Sequence, residues 1–168
     1  FMHWKKFMNY RYCGIWFYGL SGSGKTFASK YLEKKIFKSF LIDGDVVRKT
    51  LSTDLDYSLK SRKIQIRRIY SISEICLINK FFPIISTVFM DKHIIQKCKR
   101  KRILVLNINR NNFEKIINSY KIYKNKKNVV GKDIKFKKFK TKKIINPGDK
   151  TFCKNLNLTI KYLKKKDI

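Results

Sequence analysis

Carboxylates are scarce in this chain. It carries 11 aspartates and glutamates against 41 lysines and arginines, a net charge of +30 over 168 residues. Such a balance attracts polyanions, from nucleotides to nucleic acid or an anionic membrane. A second scarcity gives much of that charge a plainer origin. Ala28 is the only alanine, while Lys, Ile, Asn, Phe and Tyr abound. These are the residues of A/T-rich codons, which fill exposed positions with lysine for no binding reason. The lysines are also spread along the chain without a recognition module, so nucleic acid is not the expected partner. The four cysteines (Cys13, Cys76, Cys98, Cys153) stand singly and the only histidines are His3 and His93, which argues against structural zinc and a disulfide framework. No apolar run is long enough to span a bilayer. The basic, aromatic residues 1–18 lack the unbroken apolar core and small-residue cleavage site of a signal peptide. A cytoplasmic protein without a membrane partner is the expectation. The chain opens on Phe1, so its natural start is expected at Met2, at Met8 or further upstream in a longer reading frame.

What is present is one strong motif. Gly19-Leu20-Ser21-Gly22-Ser23-Gly24-Lys25-Thr26 fits the phosphate-binding pattern G-x-x-x-x-G-K-[ST] in full. Its glycines let the backbone turn tightly and bring N–H groups up to phosphate oxygens. Lys25 reaches the β- and γ-phosphates as a mobile charge, and Thr26 offers a hydroxyl to Mg²⁺. The setting agrees with the letters. Ile15-Trp16-Phe17-Tyr18 is an apolar, strand-like run. Residues 27–37 read as a helix, whose N-terminus adds positive potential at the phosphate. ATP and Mg²⁺ are therefore the expected cofactors.

Downstream, strands and helices alternate. Ser39-Phe40-Leu41-Ile42 reads as a strand ending in Asp43-Gly44-Asp45, which puts carboxylates at the carboxyl edge of a parallel sheet, where open α/β sheets bind ligands. Alone, that acidic pair reads equally well as a cap for the helix starting near Val46. Asp54-Leu55-Asp56-Tyr57-Ser58 is turn-like, with Ser58 placed to cap a long helix over residues 61–79. Strands are expected over 81–89, 102–108 and 144–146, and helices over 93–101, 112–123 and 152–163. The lysine- and phenylalanine-rich run up to Lys143 reads as an exposed segment or lid. The whole predicts an α/β domain of the three-layer P-loop NTPase fold, with a mostly parallel five-stranded sheet flanked by helices. Residues 1–13 are expected to form a tail and residues 14–168 a single P-loop domain.

Over nearly its whole length the chain resembles the adenylylsulfate (APS) kinase family. The resemblance rests on residues 15–26, on Ile42-Asp43-Gly44-Asp45-Val46-Val47-Arg48, and on Asp54-Leu55-Asp56-Tyr57-Ser58 followed by Arg62 and Arg67-Arg68. That family transfers the γ-phosphate of ATP to the 3′-hydroxyl of APS with Mg²⁺. The resemblance implies a site in which Gly19, Ser21, Gly22, Ser23, Gly24, Lys25 and Thr26 bind ATP. It sets Lys25, Asp43 and Asp45 at the chemistry and has Thr26 and Asp45 hold the metal. Arg48, Tyr57, Arg62 and Gln65 then hold the acceptor nucleotide. Tyr57 stands where the family usually has Phe, and Gln65 where it has Asn. Family members are often dimers, so a homodimer is a further expectation.

Some segments depart from the family. Ser86-Thr87-Val88-Phe89-Met90-Asp91 replaces its Ser-Pro segment, Asn118-Ser119 its Arg-Asp pair, and the lid after Ile122-Tyr123-Lys124 is shortened. Asn128-Val129-Val130-Gly131-Lys132-Asp133-Ile134 resembles a divergent branch that includes cytidine diphosphoramidate kinases of surface-polysaccharide pathways. Such a kinase is the alternative to APS phosphorylation, and a non-catalytic basic P-loop protein is the other.

Overall fold

The computed structural model describes residues 10–111 and 127–164. Five strands form one fully parallel sheet: β1 (Gly14–Tyr18), β2 (Ser39–Asp43), β3 (Phe82–Thr87), β4 (Ile103–Arg110) and β5 (Lys142–Asn146), in the order β2-β3-β1-β4-β5. The helices are α1 (Lys25–Glu33), α2 (Gly44–Thr50), α3 (Leu59–Ile78), α4 (Lys92–Arg100) and α5 (Thr151–Leu163).

The three layers follow from the two-residue period of the central strand. Ile15 and Phe17 of β1 pack with Ala28 and Leu32 of α1 and with Leu156 and Ile160 of α5. Trp16 and Tyr18 point the other way, into a second core with Val47 of α2, Ile66 and Ile69 of α3 and Ile94 and Cys98 of α4. All five residues of β1 are buried, as a strand covered on both faces requires.

The expected strands and helices appear within a few residues of their predicted bounds. The expected helix over 112–123, the Asn118-Ser119 pair and Ile122-Tyr123-Lys124 lie outside the described residues. Two local readings change. Residues 10–13, counted with the tail, are tied to the domain: Tyr10 bridges Lys164, Arg11 N donates to Leu163 O at 2.7 Å, and the Tyr10 ring packs on Phe82. The lysine- and phenylalanine-rich run is exposed at its lysines but not at its rings. Phe136 and Phe139 pack against Tyr18, whose hydroxyl lies 2.8 Å from Thr141 Oγ1. Residues 136–139 form no strand, and their irregular path brings both rings to Tyr18 while Lys137 and Lys138 between them stay in water.

Candidate active site

The carboxyl ends of β1, β2 and β3 open onto one cleft of about 280 Å³. The phosphate loop forms one wall. Gly22 and Gly24 sit at φ 83° and 100°, which side chains rarely tolerate. A Cβ on Gly24 would lie 2.4 Å from Asn146 Nδ2. The loop runs directly into α1 through Gly24, so the helix N-terminus opens at the loop.

Lys25 is buried, and its Nζ donates to Leu20 O at 2.8 Å. Burial pulls its ammonium down from 10.5 to about 8, against the opposing attraction of Asp45 and Asp43. Thr26 is exposed at the cleft, with its hydroxyl 3.4 Å from Asp43 Oδ2. Asp43 Oδ2 also accepts from Ser86 Oγ at 2.9 Å, and Oδ1 accepts from Asp45 N at 2.8 Å. Asp43 is thus the cap of α2 and a cleft carboxylate together. Asp45, in the first turn of α2, is exposed and lines the same cleft.

The opposite wall carries Arg48, Tyr57 and Arg62. Arg48 is buried, and its Nη1 donates to the carbonyls of Leu55 and Asp56. Its guanidinium lies 4.6 Å from the centre of the Tyr57 ring, and that of Arg62 lies 5.6 Å from it. Arg62 Nε donates to Tyr57 O at 3.0 Å and Nη2 to Asn128 O at 2.9 Å. Burial lowers both guanidinium pKa values, and at Arg62 repulsion from Arg48 adds to it. Two cations held close and partly desolvated are poised for an anion. Gln65 is buried at the cleft wall, where its Nε2 donates to Gly44 O at 2.6 Å.

The structure therefore gathers Ser21, Gly22, Lys25, Thr26, Asp43, Asp45, Arg48, Tyr57, Arg62 and Gln65 around one cleft. Gly19, Ser23 and Gly24 shape the loop from behind: Ser23 is buried, and a Cβ on Gly19 would lie 2.5 Å from Ile108 O. Arg68 turns away and forks onto Asp54, pinning the turn that carries Tyr57. Ser86, which orients Asp43, and Val88 and Phe89, which line the cleft, were not singled out as site residues from the sequence. In the sequence they stand at the end of a buried strand, in the segment that replaces the family's Ser-Pro.

The family described as Adenylylsulphate kinase matches residues 11–116, more than half of the chain. The chain belongs to this family. An adenylyl-sulfate kinase of Buchnera aphidicola subsp. Acyrthosiphon pisum (strain APS) is 45% identical over 67 residues, 38% of this chain and 32% of that protein. A probable adenylyl-sulfate kinase of Synechocystis sp. is 36% identical over 96 residues, 55% of this chain and 54% of that protein. The matched stretch thus spans about a third to a half of these curated relatives. Among solved structures, the Mycobacterium tuberculosis APS kinase in complex with AMPPNP and APS superposes with a TM-score of 0.78. It covers 89% of this chain and 96% of its own, at 17% identity, a likeness of fold. That solved kinase thus shares the three-layer fold of this chain.

Proposed function

We propose that this protein is a kinase that transfers the γ-phosphate of ATP to the 3′-hydroxyl of adenylylsulfate. The observation that carries the reading is the facing of two charged walls across one cleft. The phosphate loop with Lys25 and Thr26 stands on one side, Arg48 and Arg62 with Tyr57 between them on the other, and Asp43 and Asp45 at the junction. The first wall suits a triphosphate, and the second an anionic nucleotide with a base to stack on Tyr57.

Phosphoryl transfer asks mainly for positioning and charge neutralisation. Lys25 neutralises the donor phosphates, and the loop's N–H groups hold them in line. The 3′-hydroxyl oxygen attacks the γ-phosphorus, the bond to the β,γ-bridging oxygen breaks, and ADP leaves. The hydroxyl proton passes to the Asp43–Asp45 pair, which also orients the attacking oxygen. Arg48 and Arg62 hold the phosphosulfate of the acceptor. The donor set offered by Thr26 and Asp45, one hydroxyl and one carboxylate, consists of hard oxygens and suits Mg²⁺. When bound there, Mg²⁺ would neutralise charge on the transferring phosphates.

The test is ADP release from Mg-ATP with and without APS. Wild-type protein should turn over only with APS, and Lys25→Ala and Asp43→Ala should each lose at least about a hundredfold in kcat/KM, as for removal of a group that stabilises transition-state charge. Folded protein that binds ATP and leaves APS untouched would overturn the assignment. The proposed setting is cytoplasmic sulfate assimilation. Among the described residues no helix is long and apolar enough to cross a membrane.

A further inference from the structure

We infer that Arg110 and Asn146 are positioning residues for the phosphate donor, holding the loop from behind so that its N–H groups face the cleft. A loop that turns successive N–H groups towards phosphate must turn carbonyls away from it, and buried carbonyls need donors. Two consecutive loop carbonyls receive them here. Gly22 O accepts from Arg110 Nη1 at 3.1 Å, and Ser23 O accepts from Asn146 Nδ2 at 2.8 Å.

The two donors are themselves fixed. Arg110 ends β4 and Asn146 ends β5, and they are partners on the last rung of the parallel ladder. Asn146 is buried, and its Oδ1 accepts from Gly148 N at 2.9 Å, so both ends of the amide are engaged. The ladder continues past the strands through Asn111 N to Asn146 O at 3.2 Å. The missing side chain of Gly24 makes room for the Asn146 amide, since a Cβ there would overlap it. Neither residue lines the cleft, and both act through the loop.

This rests on the loop being the ATP site, as proposed above. It predicts a donor-side defect alone. Binding of a fluorescent ATP analogue with Mg²⁺ to the full chain is the direct measurement, with KM for ATP and for APS beside it. Arg110→Met and Asn146→Ala should each weaken the analogue roughly tenfold, the scale of one lost hydrogen bond to a group left buried. KM for ATP should rise in parallel while KM for APS stays within about twofold. Arg110→Lys, which keeps a donor on a long stem, should recover most of the binding. Unchanged analogue affinity in both variants would overturn the inference. So would an equal rise in both KM values with a lowered melting temperature, the mark of general damage. A lysine variant as impaired as the methionine one would overturn the part assigned to Arg110. Wild-type protein that binds the analogue but does not phosphorylate APS would overturn the acceptor assignment, and the binding comparison would still decide this one.

Discussion

Asp43 caps α2 through Asp45 N and faces the cleft with the same carboxylate, oriented by Ser86 and near Thr26. The cap sets the starting direction of α2, and that direction brings Asp45 and Arg48 to the same cleft. A cap and a working carboxylate are therefore not competing roles at this residue. Lys25 shows a different compromise. Burial lowers its pKa to about 8, yet a triphosphate needs the ammonium. Between about pH 8 and 10.5 the unfolded chain holds more protons at this lysine than the folded one, so raising pH through that window favours the folded state. Nucleotide binding runs the other way, because above pH 8 it must first recharge the amine. Affinity for Mg-ATP should therefore fall about tenfold between pH 7 and pH 9. Titrating an ATP analogue across that range checks this. Lys25→Arg, whose charge persists to much higher pH, should flatten the profile whatever its absolute affinity.

At the scale of elements, α3 begins where the acceptor wall is built. Ser58 Oγ accepts from Ser61 N at 3.3 Å and donates to Asp56 Oδ1 at 2.7 Å, so the turn carrying Tyr57 and the helix carrying Arg62 and Gln65 are joined at one cap. Ser58→Ala should cost about 1 kcal/mol of stability, read as a drop in urea midpoint. The carboxyl of Asp56 is held down at about 2 by hydrogen bonds from Ser61 and Ser58. Its contribution is therefore present above the ordinary aspartate range and lost as pH falls towards 2. This turn was legible in the sequence because its signals are local: an Asx–Ser pair ahead of an apolar stripe. The phosphate loop and Asp43-Gly44-Asp45 were legible for the same reason. Ser86, Arg110 and Asn146 were not, because their partners lie 43, 88 and 123 residues away. The packing of Phe136 and Phe139 on Tyr18 escaped notice too, since the lysines around them outweigh two rings in any local count.

For the whole molecule, 41 cations face 11 carboxylates, and pairs such as Arg68–Asp54 and Lys101–Glu74 absorb only a little of the excess. Self-repulsion at +30 opposes the compact state, and salt screens it over about 10 Å at 0.1 M. The melting temperature should rise as NaCl goes from 20 to about 300 mM while affinity for Mg-ATP falls, since the same screening weakens attraction of a polyanion. A melting temperature that drops with salt would show that the specific pairs outweigh the net field. The reach of Asn146 back to Ser23 also has a consequence in time. Chain synthesis runs from the N-terminus, so the phosphate loop leaves the ribosome 123 residues before the side chain that supports it. Until Arg110 and then Asn146 have emerged, the motif has all its letters and an incomplete rear wall. Bound nucleotide then acts on a chain in which both supports are already in place, closing a site that residues up to Asn146 are needed to form.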